Sequence, residues 1–406
     1  MAQTYDPSKP VEFPRGMYRL NDEPHIDYQL NRIVNWDGGD LEELRAVGGK
    51  ITNFEDWKST LDALGRRAYE EGRTKNALGY FLMRDFYTSY DDPDKLDNYH
   101  QSQRVFYEYF RELFEPSDGG APIVERLEVP YEGGVTLPVF HTVPVGESRG
   151  VVLMHGGNDS YMEEFVLPLL YLREHGYEVY LYEGPGQGSV IRDQKCPFTW
   201  QWEKTSKAIT ERFDLHDVTI IGISLGGYFA PRAAAFDKRI RRVVCWSIYP
   251  GTWDLVEGAA GKVAIKVLGA LLHAHIADVI NKPLARKAAK GDLAAQVMTD
   301  MRYPYGADSV CDMYRKMEDY TLANCAELVD QDVLILGADE DVYIPAKLAD
   351  KMVGMLSNAR SVKLRMFTTV EDRAGNHCNV GDPKAALDEI LNWMDALDAR
   401  DARNAG

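Results

Sequence analysis

One stretch limits what this chain can become more than any other: VTIIGISLGGYFA, residues 218–230. A short β-branched run ends at Gly222. Gly222-Ile223-Ser224-Leu225-Gly226 follows, and the pattern then turns helical. A serine at the centre of G-x-S-x-G, after a strand and before a helix, reads as a nucleophile elbow. Such a turn is tight enough that glycine is needed two residues before and two after the serine. It presents the hydroxyl at the carboxyl edge of a sheet.

The segments around it set the architecture. Residues 123–130 and 135–141 predict paired strands joined through Glu132-Gly133-Gly134. Further strands are expected at 150–154, 178–182, 218–222, 242–247, 332–336 and 361–367, with helical patterns between them. This alternation is the α/β pattern of a mostly parallel sheet with helices on both faces. Ahead of it, helices are predicted from Asn53 (Trp57, Leu61, Leu64, Ala68 and Tyr69 forming one stripe), from Lys75, and over 95–113. Thr52 or Asn53 is expected to cap the first of these, and Gly72 to end it. Residues 1–48 read as irregular and polar.

A Pro/Gly/Asp/Ser-rich break at 116–120 suggests a boundary. The expected organisation is an N-terminal arm and helical cap domain over 1–118 and a catalytic domain over 119–400. A helical insertion at about 250–325 is expected to cover the carboxyl edge of the sheet. An amphipathic helix closes the chain from Pro383, with Leu387, Ile390, Leu391, Trp393 and Met394.

Composition excludes several function classes. The 406 residues carry a formal charge of -17, which argues against nucleic acid or an anionic membrane as a partner. Hydrophobic residues make up 45%, and no window approaches the ~18 uncharged apolar residues of a membrane span. The start, MAQTYDPSKPVEF, has neither a basic region nor an apolar core, so no signal peptide is expected. Cys196, Cys245, Cys311, Cys325 and Cys378 are scattered and odd in number, the pattern of reduced thiols in a cytoplasmic protein.

A serine hydroxyl near neutral pH needs a base in hydrogen-bond reach, and the base needs a carboxylate to fix its tautomer. In this architecture the expected order is Ser, acid, His. After Ser224 the histidines are His273, His275 and His377. His377 follows the last strand in a glycine-containing turn and is the candidate base; the other two fall in the apolar insertion.

The acid is expected after the penultimate strand, where Asp339, Glu340 and Asp341 stand together. Counting back from Pro345 selects Asp341, and counting forward from Gly337 selects Glu340. Asp372 is a weaker alternative. Backbone donors for an oxyanion are expected at Leu225 and at Gly157 or Asn158, in the loop His155-Gly156-Gly157-Asn158. The loop Gly184-Pro185-Gly186-Gln187-Gly188 lacks both the lysine of a phosphate-binding loop and G-x-G-x-x-G spacing, so it reads as a tight turn. No cluster has metal-ligand spacing, and neither a metal nor another cofactor is expected.

Several stretches together resemble a group within the α/β-hydrolase superfamily. It holds the 2,6-dihydroxypseudooxynicotine hydrolase of nicotine breakdown and the fungal yellowish-green-pigment hydrolases that shorten a polyketide chain; the fermentation-respiration switch proteins are more distant. The resemblance rests on Gly156-Gly157-Asn158-Asp159-Ser160, on the loop at 184–188, on Ser224-Leu225-Gly226-Gly227-Tyr228-Phe229-Ala230-Pro231-Arg232, and on Asn376-His377-Cys378. The helical region around Trp57, Gly72, Ala77 and Arg84 also looks like that group's N-terminal domain.

The resemblance implies a cofactor-free Ser-Asp-His hydrolase with Ser224, Asp341 and His377 as its triad, a helical domain closing over the site, and a homodimer. It implies cleavage of a carbon–carbon bond beside a carbonyl in an aromatic or polyketide-like small molecule. The alternative is a carboxylesterase or lactonase on the same triad; a non-catalytic binding protein is disfavoured by the intact set. Glu163 or Glu164 is a candidate acidic feature near the site. Tyr87, Trp200 and Tyr228 are candidates for substrate or cap contact.

Overall fold

The computed structural model describes residues 2–158, 160–273 and 278–405. Its centre is an eight-stranded sheet of order β1-β2-β4-β3-β5-β6-β7-β8. The strands are β1 (Glu125–Pro130), β2 (Thr136–Thr142), β3 (Gly150–His155), β4 (Tyr177–Tyr182), β5 (Val218–Ile223), β6 (Ile240–Trp246), β7 (Asp332–Ala338) and β8 (Ser361–Phe367). The β1–β2 and β2–β4 pairs are antiparallel, and every other pair is parallel. Sequence predicts this sheet because its central strands are Val/Ile-rich runs with no polar face. β5 is buried at every position, as a strand covered on both sides must be.

The two faces are covered differently. Val152, Met154, Ile221, Val244 and Leu334 point to one face, where they meet the helices Val166–Glu174 and Pro383–Ala405 and the N-terminal helices in one continuous core. Leu153, Ile220, Val243 and Ile335 point to the other, against Trp202–Arg212, the elbow helix Gly226–Phe236, and Ala349–Met355.

The N-terminal region departs from the expected irregular arm. Residues Pro24–Arg32 form a helix, Ile33–Asp37 continue it as a π-helical turn, and Leu41–Val47 form a second helix. Glu23 caps the first by accepting from the Ile26 N–H, and Pro24 opens it. Gly38, at φ 91°, ends the π turn. The polar look of this region comes from buried amides rather than from solvation. Asn31 exchanges hydrogen bonds with the Tyr18 backbone in both directions, and Asn35 donates to Gly16 O. These residues belong to a packed face that hydrophobic periodicity does not register.

Phe54–Glu70, Thr74–Phe86 and Lys95–Tyr109 follow. Asn53 provides the first cap, accepting from the Asp56 N–H at 3.0 Å. Tyr69, placed by its spacing on the buried stripe, is exposed instead, and its hydroxyl donates to Glu108.

Between β6 and β7 the chain leaves the sheet, and its described residues there form the α-helices Thr252–Ala260, Lys262–His273, Asp278–Ala288, Leu293–Asp300 and Val310–Lys316. This insertion meets the N-terminal helices at a clasp. Ser89 Oγ and the Tyr90 N–H donate to Asp300 Oδ1 at 2.6 and 2.8 Å, and Arg302 donates to Asp91 at 2.6 Å. Tyr90 and Tyr303 stack with centroids 4.1 Å apart. Among the described residues no helix is long and apolar enough to cross a membrane. Asp159 and His275 lie outside the described residues.

Candidate active site

The elbow forms because β5 must reverse into its helix within three residues. Ser224 takes up the strain: its φ is 60°, a left-handed conformation rare for a side chain of this kind. The flanking glycines answer to contacts. A Cβ on Gly222 would lie 2.1 Å from Gly226 O, and one on Gly227 would lie 2.4 Å from Ser247 O. The serine hydroxyl is thereby held at the carboxyl end of the sheet.

Ser224 Oγ lies 2.9 Å from His377 Nε2, and His377 Nδ1 lies 2.8 Å from Asp341 Oδ2. The three groups come from the ends of β5 and β7 and from the turn after β8. Asp341 is fixed by its own backbone, its Oδ1 accepting from the Tyr343 and Ile344 N–H groups at 2.8 and 2.9 Å. The alternatives left open by counting face elsewhere. Asp339 accepts from the Thr369 N–H and hydroxyl, Glu340 accepts from the same hydroxyl, and Asp372 accepts from Arg365 and Thr368.

Asn376 joins the two loops: its Oδ1 accepts from the His377 N–H at 2.7 Å and the Val342 N–H at 3.3 Å. Cys378 and Asn379, at φ 50° and 57°, complete the turn that aims the imidazole. Burial pulls the His377 pKa down, but the adjacent Asp341 carboxylate outweighs it and holds the imidazole above its ordinary value.

Leu225, Gly157 and Asn158 line the same cavity as Ser224. Gly157 presses on the elbow so closely that a Cβ there would lie 2.6 Å from Leu225 N. The residue that orients this loop is Gln187, for which the sequence implies no role beyond a tight turn. Gln187 Nε2 donates to Gly156 O and Gly157 O at 2.8 and 3.0 Å, while its Oε1 accepts from the Gly184 N–H. Both carbonyls of the loop are thereby held toward Gln187. The glycine loop at 184–188 is therefore a brace.

That loop's nearby donors are already taken. Glu183, at the end of β4, accepts from Met162 N, Ser189 N and Ser189 Oγ. His155 is fully buried, and burial pushes its pKa down to about 4.

The cavity above Ser224 and His377 has a volume of about 330 Å³. Its roof is aromatic and aliphatic. Tyr28, Trp36, Phe86 and Tyr87 come from the N-terminal helices, and Leu255, Val297, Met298 and Met313 from the insertion. Tyr28 and Tyr343 pack their rings against His377, with centroids 6.0 and 5.1 Å away.

Of the other sequence candidates, Tyr87 and Glu164 line this cavity. Glu163 lines a neighbouring cavity, where burial and the Glu183 carboxylate raise its pKa to about 8. Trp200 and Tyr228 are not among the lining residues; the Tyr228 hydroxyl donates to Trp200 O on the far side of the elbow helix. Among the described residues no group of three or more His, Cys, Asp or Glu is placed to hold a metal ion.

With this geometry established, relatives are informative. The chain is 26% identical over 432 residues to the alpha/beta hydrolase psoB of Aspergillus fumigatus, covering 93% of this chain and 94% of that protein. It is 28% identical over 378 residues to the hydrolyase poxO of Penicillium oxalicum, covering 81% and 86%. Two solved structures share the fold at 16% identity. The 2,6-dihydroxy-pseudo-oxynicotine hydrolase has a TM-score of 0.60 over 90% of this chain and 94% of that one. AbyA5 has a TM-score of 0.63 over 90% and 92%. A family profile described as the alpha/beta hydrolase family matches residues 151–389, more than half of the chain, and the protein belongs to that family.

Proposed function

We propose that the protein is a serine hydrolase that cleaves a carbon–carbon bond beside a carbonyl in an aromatic or polyketide-like small molecule, releasing a carboxylic acid. The observation that carries this reading is the relay Ser224–His377–Asp341, with contacts of 2.9 and 2.8 Å, under an aromatic cavity of about 330 Å³. The likeness to fungal hydrolases, and a fold shared with the 2,6-dihydroxy-pseudo-oxynicotine hydrolase, support it.

His377 takes the Ser224 proton as the oxygen adds to the substrate carbonyl. Asp341 holds the imidazole in the tautomer that leaves Nε2 free to accept, and stabilises the imidazolium. The oxyanion rests on the Leu225 N–H and on Gly157 or Asn158. Collapse passes the carbon–carbon electron pair to the departing carbon, which His377 protonates. Water, deprotonated by His377, then frees the acid from Ser224. The N-terminal helices and the insertion exclude water while the acyl group is held.

The test is a ketone and an ester built on one aryl scaffold, assayed with products identified by mass. Release of the acid from the ketone, abolished in Ser224→Ala, is the expected result. Ester turnover without cleavage of any aryl 1,3-diketone would overturn the reading in favour of a carboxylesterase or lactonase.

A further inference from the structure

The relay makes no use of the one guanidinium in the cavity wall. Arg32 is the only lysine or arginine among the described lining residues. It ends the helix Pro24–Arg32, and its side chain is only 12% exposed. It donates to Glu164 Oε2 and, at 3.2 Å, to Gln29 Oε1, with Cζ 4.8 Å from the Phe86 ring centroid. Glu164 is itself buried in the same wall.

An ion pair in so apolar a setting seldom stabilises a fold more than hydrophobic residues of the same size would. Its presence there calls for a role in the site. The place of Arg32 in the fold ties it to the reacting end of the cavity. Tyr28, four residues earlier on the same helix and so one turn away, lines the same cavity and packs its ring on His377.

We propose that Arg32, oriented by Glu164, binds the oxygen conjugated to the departing carbon of the β-diketone or acyl-phenol substrate, and so requires that oxygen to be unblocked. This rests on the carbon–carbon reading above. When the tetrahedral adduct collapses, the broken bond's electron pair moves to the departing carbon and delocalises onto its conjugated oxygen. The carbonyl carbon keeps Ser224 Oγ as an acyl ester. The proton held by His377 goes to the departing carbon, so the fragment leaves neutral. Between those events the negative charge sits on the oxygen that Arg32 contacts. An ester behaves differently. Its leaving oxygen is protonated directly by His377 and puts no charge at the remote oxygen, so Arg32 then contributes to binding alone.

The experiment compares kcat and KM for a ketone and an ester of one scaffold in wild type, Arg32→Met and Arg32→Lys. Arg32→Met is expected to lower kcat on the ketone by roughly 100-fold or more, the scale of losing one preorganised donor to a developing anion. Ester kcat is expected to change less than about fivefold, with the loss confined to KM. Arg32→Lys is expected to recover part of the ketone rate, since the charge remains while the fork is lost. O-methylation of the conjugated oxygen is expected to slow the wild type as Arg32→Met does.

Should Arg32→Met fail to fold because Glu164 is stranded, Arg32→Met/Glu164→Leu removes both charges, and fluorophosphonate labelling counts intact sites. Equal losses on ketone and ester would overturn this assignment alone. A wild type that cleaves the ester and no ketone would overturn it together with the function on which it rests.

Discussion

Floor and roof of the cavity differ in kind. On the floor, each polar side-chain atom of Ser224, His377 and Asp341 has a fixed partner at 2.8–2.9 Å, and each residue stands at the end of a strand of one sheet or in the loop that follows it. The roof is made of rings, aliphatic side chains and methionines from two helical layers, with Arg32 the one guanidinium among the described lining residues. A sheet edge fixes positions to a fraction of an ångström, whereas packed helices tolerate changes of volume and shape. The division implies that, Arg32 apart, rate is set below and choice of substrate above. Variants that move the two independently sharpen it, and variants that move both break it.

Ser224→Ala has the largest expected effect: a fall in kcat of roughly 10⁴- to 10⁶-fold with unchanged thermal stability, and loss of labelling by a fluorophosphonate. Retained labelling would mean that another nucleophile lies on the floor. Asp341→Asn comes next, with an expected loss of about 10⁴-fold. It carries a pH signature as well. The Asp341 carboxylate raises the His377 pKa, and only the neutral imidazole can accept the serine proton. Wild-type kcat/KM should therefore rise with pH along an acid limb centred above the ordinary histidine value of about 6.5. In Asp341→Asn burial still acts while the carboxylate's charge is gone, so the limb moves to lower pH.

Gln187→Ala is expected to cost tenfold to roughly a hundredfold in kcat with little change in KM, because the Gly156–Gly157 carbonyls lose their anchor and the donors drift. An effect on KM alone would make Gln187 part of the binding surface. Smallest is Met298→Trp, which fills the roof. The KM of a bulky ester should rise by about tenfold while a small ester keeps its kcat within about twofold. A shifted acid limb in that variant would show that roof and floor are coupled.

The floor was largely legible in the sequence because its constraints are local. Gly222, Ser224 and Gly226 announce a turn whatever the rest of the chain does, and His377 follows the last strand. Asp341 was legible only in part. Three carboxylates stand in a row, and what separates them is the Thr369 side of the loop, to which Asp339 and Glu340 turn. The roof was less legible. Pro24–Arg32 escaped notice because Asn31 and Asn35 spend their amides on neighbouring backbone instead of on water. Gln187 and Arg32 matter through residues about thirty and more than a hundred positions away, and no local pattern encodes such meetings.

The clasp between Ser89–Tyr90–Asp91 and Asp300–Arg302–Tyr303 closes one side of the cavity, which Tyr90 and Asp300 line. Anything lodged beneath it leaves once a guanidinium and a carboxylate part and two stacked rings slide. Escape on that route quickens with added salt and slackens as the cargo grows.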